Sequence, residues 1–186
     1  MANKRTETMK KVKVTFGREG LMYDLENCGW VESQVMDENS ENSRHLTADI
    51  GEEGNVDRVN RVLDMAVARC EEIAYPWVQK NLGELTELTD EVSETELTDE
   101  VSETEDYDME LTIPVEVSAS TVKLLTGQMH EYIVCRALSD WMSIVNPTRA
   151  ETWEAKASAA AEEIRRIVMT RAVHTIRGRL RQHWLG

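Results

Sequence analysis

The most informative feature of this sequence is an exact tandem repeat. Residues 88–96 read LTDEVSETE, and residues 97–105 repeat the same nine letters. The stretch 81–122 contains fourteen Asp and Glu and no Lys or Arg, although the whole chain has 35 acidic and 21 basic side chains. Outside this stretch, 21 acidic residues therefore balance 21 basic ones. The net charge of −14 is local, which indicates a neutral framework that carries an acidic protrusion.

The nine-residue period does not fit one continuous amphipathic element. In a strand, Leu88 and Val92 share a face, but the odd period moves Leu97 and Val101 to the opposite face. In a helix the second pair also rotates to the far side. Two hypotheses remain open for the acidic insert at 81–106. It forms a projecting β-hairpin, since Thr and Val favour extended structure, or a disordered loop, since dense charge resists collapse.

Composition and cysteine spacing exclude several classes of protein. A chain of 186 residues is predicted to form one domain with a core of its own. Cys28, Cys70 and Cys135 lie far apart without CxxC spacing, so neither a disulfide scaffold nor a zinc site is predicted. No run approaches the roughly 20 apolar residues of a membrane span, and the first residues lack a signal-peptide pattern. We therefore expect a soluble protein of a reducing compartment, without metal, cofactor or membrane partner.

Two segments alternate between apolar and polar residues and are predicted to be β-strands. They comprise residues 11–16 and residues 107–115. The alternation places three apolar side chains on one face of each strand: Val12, Val14 and Phe16, and Met109, Leu111 and Ile113. Pro114 indicates that the second strand finishes at a sheet edge. Together the two segments predict a small antiparallel sheet.

The helical spacing of apolar residues predicts three substantial helices. The first begins after Asn55, its predicted N-cap, and is ended or kinked by Pro76. The second is capped by Ser118 or Ser120 and runs to about Val145. Apolar residues occupy most of the circumference of this second helix, which is typical of a buried, central helix.

The third helix is predicted to form an antiparallel hairpin with the second. Asn146-Pro147 ends the second helix, and Thr148 with Glu151 forms a capping-box pattern for the third. Because the connection is only a few residues long, the two helices are expected to pack side by side. Gly178 is predicted to end the third helix.

The remaining segments complete the predicted architecture. Residues 21–28 are predicted to form a short helix that ends at Gly29, and 33–54 a loop. The fold class is α+β and mainly helical, with a three-helix core, a C-terminal antiparallel helix hairpin and a small antiparallel sheet bearing the acidic hairpin or loop. The predicted organisation has three parts: a flexible tail at 1–10, a single domain at 11–177 and a basic tail at 178–186.

The aromatic composition is unusual, with five Trp and four Tyr but one Phe. Amphipathic aromatic rings are common at protein–protein contacts, where one edge of the ring stays polar. Two hypotheses therefore stand for four of the tryptophans. They occupy core positions, because Trp is mostly buried in proteins, or they occupy interface positions. These residues are Trp30, Trp77, Trp141 and Trp153.

The acidic insert is the first candidate partner-binding segment. Four hypotheses stand for its role. The insert imitates the phosphates of a nucleic acid, it chelates Ca²⁺, it docks on a basic surface such as the chain's own carboxyl end, or it only aids solubility. The D-x-D-x-D-G spacing of a calcium loop is absent. The candidate residues are Asp90, Glu91, Glu94, Asp99, Glu100 and Glu103.

The basic carboxyl end is the second candidate. From Arg165 onwards there are six Arg, two His and no acidic residue. These arginines contact a protein partner or the phosphates of a nucleic acid, with a Trp stacked on a base in the latter case. The candidate residues are Arg171, Arg177, Arg179, Arg181 and Trp184.

No catalytic motif accompanies these two segments. His130-Glu131 is followed by Tyr-Ile-Val, so the HExxH pattern of zinc proteases fails, and the sequence has no P-loop, GxGxxG or GxSxG. His130 is instead predicted to be a hydrogen-bonded histidine at the boundary of the core. No catalytic residue is predicted, and we do not expect an enzyme.

Two longer segments resemble phage proteins. Residues 130–168, HEYIVCRALSDWMSIVNPTRAETWEAKASAAAEEIRRIV, combine a helix that bears Tyr and Trp, an Asn-Pro turn and a helix rich in Ala, Glu and Lys. This run resembles the C-terminal helices of small tailed-phage structural proteins, in particular head–tail connector (adaptor or head-completion) proteins. Residues 11–32, KVKVTFGREGLMYDLENCGWVE, are similar to phage or prophage proteins of gut bacteria.

The resemblance implies a virion structural protein that assembles in the cytoplasm of the bacterial host. Such a protein forms a ring of identical copies between portal and tail, with DNA in passing contact. Its extensions and carboxyl segment contact neighbouring subunits and the portal and tail proteins. The duplicated acidic insert is a departure from the family. The alternatives are an acidic DNA-mimic inhibitor of a DNA-binding protein, another phage tail-completion protein, and a host-encoded regulatory helical module.

Overall fold

Five α-helices and two β-strands form the part of the chain that the structure describes. The computed structural model describes residues 9–35, 41–78 and 106–183, and the side chains of these residues except 41–43 and 170–183. The elements are β1 (Met9–Phe16), α1 (Arg18–Val35), α2 (Glu41–Ala48), α3 (Val56–Ile73), β2 (Tyr107–Pro114), α4 (Ala119–Val145) and α5 (Pro147–His183). Two short 3₁₀ turns, Asp49–Gly51 and Glu53–Asn55, connect α2 to α3. The mainly helical α+β class predicted from the sequence is confirmed.

The two predicted strands pair with each other as an antiparallel sheet. Val12 lies opposite Leu111, so the apolar faces of both strands coincide. The inward side chains are buried against the helices: Val14, Phe16, Met109, Leu111 and Ile113. On the outer face Lys13 pairs with Asp108 at 2.8 Å. The alternation in the sequence thus determines which side of each strand faces the core, and the outer face stays charged.

Helices α4 and α5 form the predicted antiparallel hairpin. Arg136 of α4 contacts Glu154 of α5, and Ser139 Oγ donates a hydrogen bond to the Ala150 carbonyl at 3.3 Å, as antiparallel packing requires. The buried face of α5 is rich in small residues, which allow the two helices to approach closely. These residues are Ala150, Ala157, Ala160 and Ala161. The other sides of α4 face α1 and α3, so α4 is the central helix, as predicted.

The caps of these helices were predicted in part. Ser118 Oγ accepts the backbone N–H of Thr121 at 3.2 Å, which confirms Ser118 as the N-cap of α4. The prediction that Thr148 caps α5 was wrong. Asn146 Oδ1 accepts the backbone N–H of Arg149 at 3.3 Å, and Pro147 occupies the first helical position. Proline suits that position because its missing N–H has no partner there in any case.

Asn55 precedes α3 as predicted, but its side chain does not cap that helix. Its Nδ2 instead donates a hydrogen bond to the Asp49 carbonyl at 2.8 Å, across the two 3₁₀ turns. Helix α3 ends at Ile73, three residues before Pro76, in agreement with the predicted stop.

Three predictions for the helix boundaries were wrong. Helix α1 does not end at Gly29 but continues to Val35. Gly29 has no side chain, and this allows the turn at Ile50 to pack closely against the helix. The predicted loop 33–54 contains helix α2, which Arg44 attaches to α1 through a 3.0 Å bond from its Nε to the Ser33 carbonyl. Gly178 does not end α5, since an internal glycine costs a helix only about 1 kcal/mol.

Candidate interaction surface

The acidic candidates lie outside the described residues, and the described fold shows where the chain departs before the insert and returns after it. Asp90, Glu91, Glu94, Asp99, Glu100 and Glu103 all fall within 79–105. Before this stretch, the Trp77 backbone carbonyl accepts a hydrogen bond from the Thr112 N–H at 2.7 Å, and Val78 forms an isolated antiparallel β-bridge with Leu111. After it, the Asp106 carboxylate accepts the Arg18 backbone N–H at 3.0 Å. The insert therefore leaves and re-enters the described fold along β2, at points about five strand residues or ~17 Å apart.

The basic candidates fall at the far end of a long helix. Arg171, Arg177, Arg179 and Arg181 belong to α5, whose side chains beyond Met169 are outside the description, as is Trp184. The predicted basic tail at 178–186 is thus helical as far as His183. Helix α5 has 37 residues and α4 has 27, which correspond to about 55 Å and about 40 Å. The carboxyl-terminal end of α5 consequently extends about 15 Å beyond its hairpin partner.

The tryptophans divide between core and surface. Trp77, Trp141 and Trp153 are buried, as the core hypothesis predicts. Trp30 is 57% exposed, and Tyr23, seven residues earlier on the same helix, is 67% exposed. Residues seven apart lie on one face of a helix, so these two large rings share a solvent-exposed face of α1.

Two glutamates complete this face. Glu19, Tyr23, Glu26 and Trp30 are spaced by four, three and four residues, and all four are exposed. We call this set the α1 stripe. Within the described residues, neither glutamate of the stripe pairs with a basic side chain. The Glu26 side chain lies against Gly51 of the first 3₁₀ turn, whereas Glu19, Tyr23 and Trp30 extend into solvent. The stripe is therefore an acidic, aromatic surface that the described fold leaves largely exposed.

The remaining acidic residues of α1 attach that helix to its neighbours. Asp24 Oδ2 lies 2.8 Å from Nε2 of His130 on α4, so His130 is hydrogen-bonded as predicted. Glu32 lies 3.4 Å from Nε of Arg149 in the first turn of α5. Because these carboxylates hold one side of α1 against α4 and α5, the α1 stripe on the other side has a fixed orientation.

A polar cluster connects α1, α3 and β2. The Tyr107 hydroxyl donates to Asp64 Oδ1 at 2.5 Å, and the Arg18 guanidinium lies over the Tyr107 ring, 5.6 Å from its centroid. Arg18 Nε also donates to Asn60 Oδ1 at 3.2 Å. Burial, followed by the hydrogen bond to Asp64, raises the pKa of Tyr107 well above its usual range. The phenol therefore stays a hydrogen-bond donor, which suits a structural junction.

The cysteines are protonated thiols at neutral pH. Burial raises the pKa of Cys70 to about 12 and that of Cys135 to about 11, and it also raises the pKa of the half-buried Cys28. Thiolates rather than thiols are nucleophiles and metal ligands, so these side chains are suited to packing. In the described part of the chain, no group of three or more His, Cys, Asp or Glu could hold a metal ion.

The α1 stripe was not predicted from the sequence, because the predicted end of the helix at Gly29 was too early. With a helix that stops at Gly29, Trp30 falls outside it and the relation of Trp30 to Tyr23 is lost. The signal was present: Leu21 and Leu25 mark the inward face, and the stripe occupies the opposite one.

Within the described ranges, no helix is long and apolar enough to span a membrane. Comparisons with protein-family models, characterised proteins and solved structures found no match.

Proposed function

We propose that this protein is a virion structural protein of the head–tail connector kind, which acts by assembling with copies of itself and with portal and tail proteins. The observation that supports the proposal most is the α1 stripe. Tyr and Trp are enriched at protein interfaces and depleted from surfaces that only contact water. Two such rings, aligned on one helix and both more than half exposed, suit a docking surface.

The acidic insert fits the same proposal. Its two ends both meet the described fold along β2, about five strand residues apart, so additional residues can be accommodated between them without disturbing the core. In a ring with the insert towards the channel, its carboxylates would repel the phosphates of passing DNA and keep the DNA from adhering. The arginine-rich end of α5 would then contact neighbouring subunits, with the protein located in the assembled virion.

The main rival is an acidic DNA mimic that inhibits a DNA-binding protein. The concentration of fourteen acidic residues in 81–122 favours this alternative. A mimic acts as a monomer or dimer, depends on the number of carboxylates it presents, and loses affinity steeply with salt. A connector depends on subunit contacts and tolerates a shorter insert.

Electron microscopy of negatively stained protein separates the two functions. The samples are the full chain, a variant that lacks residues 97–105, and a full-length control in which the acidic residues of 97–105 become Asn or Gln. For a connector, all three form rings of one diameter at high protein concentration. Absence of rings from the full chain at every concentration would contradict the proposal. Rings from the full chain but from neither variant would instead assign assembly to the acidic insert.

A further inference from the structure

We propose that the α1 stripe binds the carboxyl-terminal part of α5 from a second copy of this chain, so that copies associate head to tail. This inference rests on the proposed function, to which it assigns the two contact surfaces. One surface is the set Glu19, Tyr23, Glu26 and Trp30. The other is the stretch of α5 from Arg165 to His183.

The charges of the two surfaces are complementary. Helix α1 contains four acidic residues and one basic residue, Arg18, which is buried. The last part of α5 contains six arginines and no acidic residue, and one of these arginines, Arg166, pairs with Glu163 of the preceding turn. Opposite charges around an interface accelerate association and select the register of docking. Among the helices of the described fold, α1 has the clearest excess of acidic residues and the end of α5 the clearest excess of basic residues.

The apolar residues also correspond. Met169 is 50% exposed, on the side of α5 away from Ile164 and Val168, which are buried against the hairpin. The sequence continues with Val173, Ile176 and Leu180, spaced from Met169 by four, three and four residues. On a continuous helix these positions share one face. These positions therefore offer an apolar face against which the two aromatic rings of the α1 stripe can pack.

A contact between the two surfaces within one molecule is prevented by the geometry of α5. Glu32, two residues beyond Trp30, pairs with Arg149 in the first turn of α5. Arg177 is 28 residues further along the same helix, about 42 Å at 1.5 Å per residue. Because α5 is one continuous helix, its basic end cannot return to its own Trp30. The partner of the stripe is therefore the α5 of another copy.

Head-to-tail contact has a direct consequence for assembly. A pair of copies joined in this way retains one free stripe and one free basic helix end, so the contact is heterologous and repeats until the chain of copies closes on itself. Such contacts produce rings when the rotation per copy divides a full turn. The contact should also weaken at high salt, since exposed charges contribute to it.

Sedimentation velocity on two complementary variants tests the inference. The stripe variant carries Tyr23→Ser and Trp30→Ser, and the helix-end variant carries Arg177→Glu, Arg179→Glu and Arg181→Glu. The matched control is Ile144→Ser, which removes an apolar side chain that is 66% exposed on α4. Circular dichroism and thermal unfolding establish that every variant is folded before its association is measured.

We expect the unmodified chain and the control to assemble alike, and each of the two variants to associate at least ten-fold more weakly. An equimolar mixture of the two variants should form one-to-one heterodimers and nothing larger. In such a pair the intact basic end of one variant meets the intact stripe of the other, and the remaining two surfaces are both defective.

Three results would overturn the inference. If the stripe variant assembles like the unmodified chain, the interface lies elsewhere, while the connector function stands. If both variants are monomeric but their mixture forms no heterodimer, the two surfaces do not bind each other. If the unmodified chain and the control stay monomeric at every concentration and salt, the inference fails together with the ring-forming function.

Discussion

Gly29 of α1 and Thr47 of α2 are in such close contact that a Cβ atom at Gly29 would lie 2.7 Å from the Thr47 carbonyl oxygen. The same atom would lie 3.1 Å from Cγ2 of Ile50, which is fully buried. This contact fixes the distance between α1 and the segment that follows it. It also explains why a glycine stands in the middle of a helix, where it is normally unfavourable.

The substitution Gly29→Ala should therefore destabilise the protein, although alanine is the better helix former by about 1 kcal/mol. We expect a net loss of about 2 kcal/mol in the free energy of unfolding, because a backbone oxygen cannot move aside as a flexible side chain can. The matched control is Gly20→Ala in the same helix, where no atom lies within 4 Å of the added Cβ. Urea denaturation should show the control unchanged or more stable, and equal behaviour of the two variants would contradict the packing described.

Arg136 connects the two helices of the hairpin. It contacts Glu154 of α5 and also pairs with Asp140 of its own helix at 2.9 Å. A double-mutant cycle with Arg136→Met and Glu154→Gln should give a coupling of about 1 kcal/mol, since the guanidinium is mostly buried. The same cycle on the exposed pair Arg166 and Glu163 should give a smaller coupling. Comparable couplings would show that burial of Arg136 does not strengthen its contact.

The Tyr107–Asp64 hydrogen bond should contribute measurably to stability. We expect Tyr107→Phe to lower the free energy of unfolding by about 1 kcal/mol, because it removes the donor and leaves the Asp64 oxygen without this partner. Tyr75→Phe is the control, since the Tyr75 side chain is 61% exposed. Chemical denaturation of both variants decides the matter, and no difference between them would argue against a stabilising junction.

Stability should fall at alkaline pH through the buried thiols. The pKa of Cys70 rises from an ordinary value of 9.0 to about 12 in the folded protein. A raised folded-state pKa stabilises the fold fully below the ordinary value, and this contribution is lost as pH rises beyond it. At pH 10 the unfolded thiol ionises while the folded one does not, which costs about 1.4 kcal/mol for Cys70.

The measurement for this prediction is urea denaturation at pH 7 and pH 10 in the presence of a reductant. Cys70→Ala should lose about 1.4 kcal/mol less than the unmodified chain between the two pH values. Its stability at pH 7 should be lower by about 1 kcal/mol, because a small cavity replaces the sulfur. An equal loss for both proteins between pH 7 and pH 10 would show that Cys70 is not buried as described.

The sequence predicts those parts of the fold where one periodicity is sustained. The alternation in β1 and β2, and the long apolar pattern of α4, each leave a single arrangement that buries the apolar residues. The errors concern positions where tertiary contacts outweigh local preference. Gly29 looks like a helix stop, but it is there for the contact with Thr47, which no local pattern reveals. Helix α2 has a polar sequence, and it is held partly by the bond from Arg44 to α1.

The candidate surface was predictable only in part, for a related reason. Charge along the sequence identifies the acidic insert and the basic end of α5 without any structure. The α1 stripe depends on knowing that one helix extends from Arg18 to Val35, and the shortened prediction separated Trp30 from Tyr23. A correct helix boundary is thus the step on which recognition of this surface depends.

Native mass spectrometry of the full chain, at low and at high salt, shows directly whether copies of this protein associate and in what number. We expect a closed assembly of one defined number of copies at low salt, with smaller species at high salt as the charged contacts weaken. A monomer at every salt and protein concentration would contradict the claim that this protein works by assembling with copies of itself.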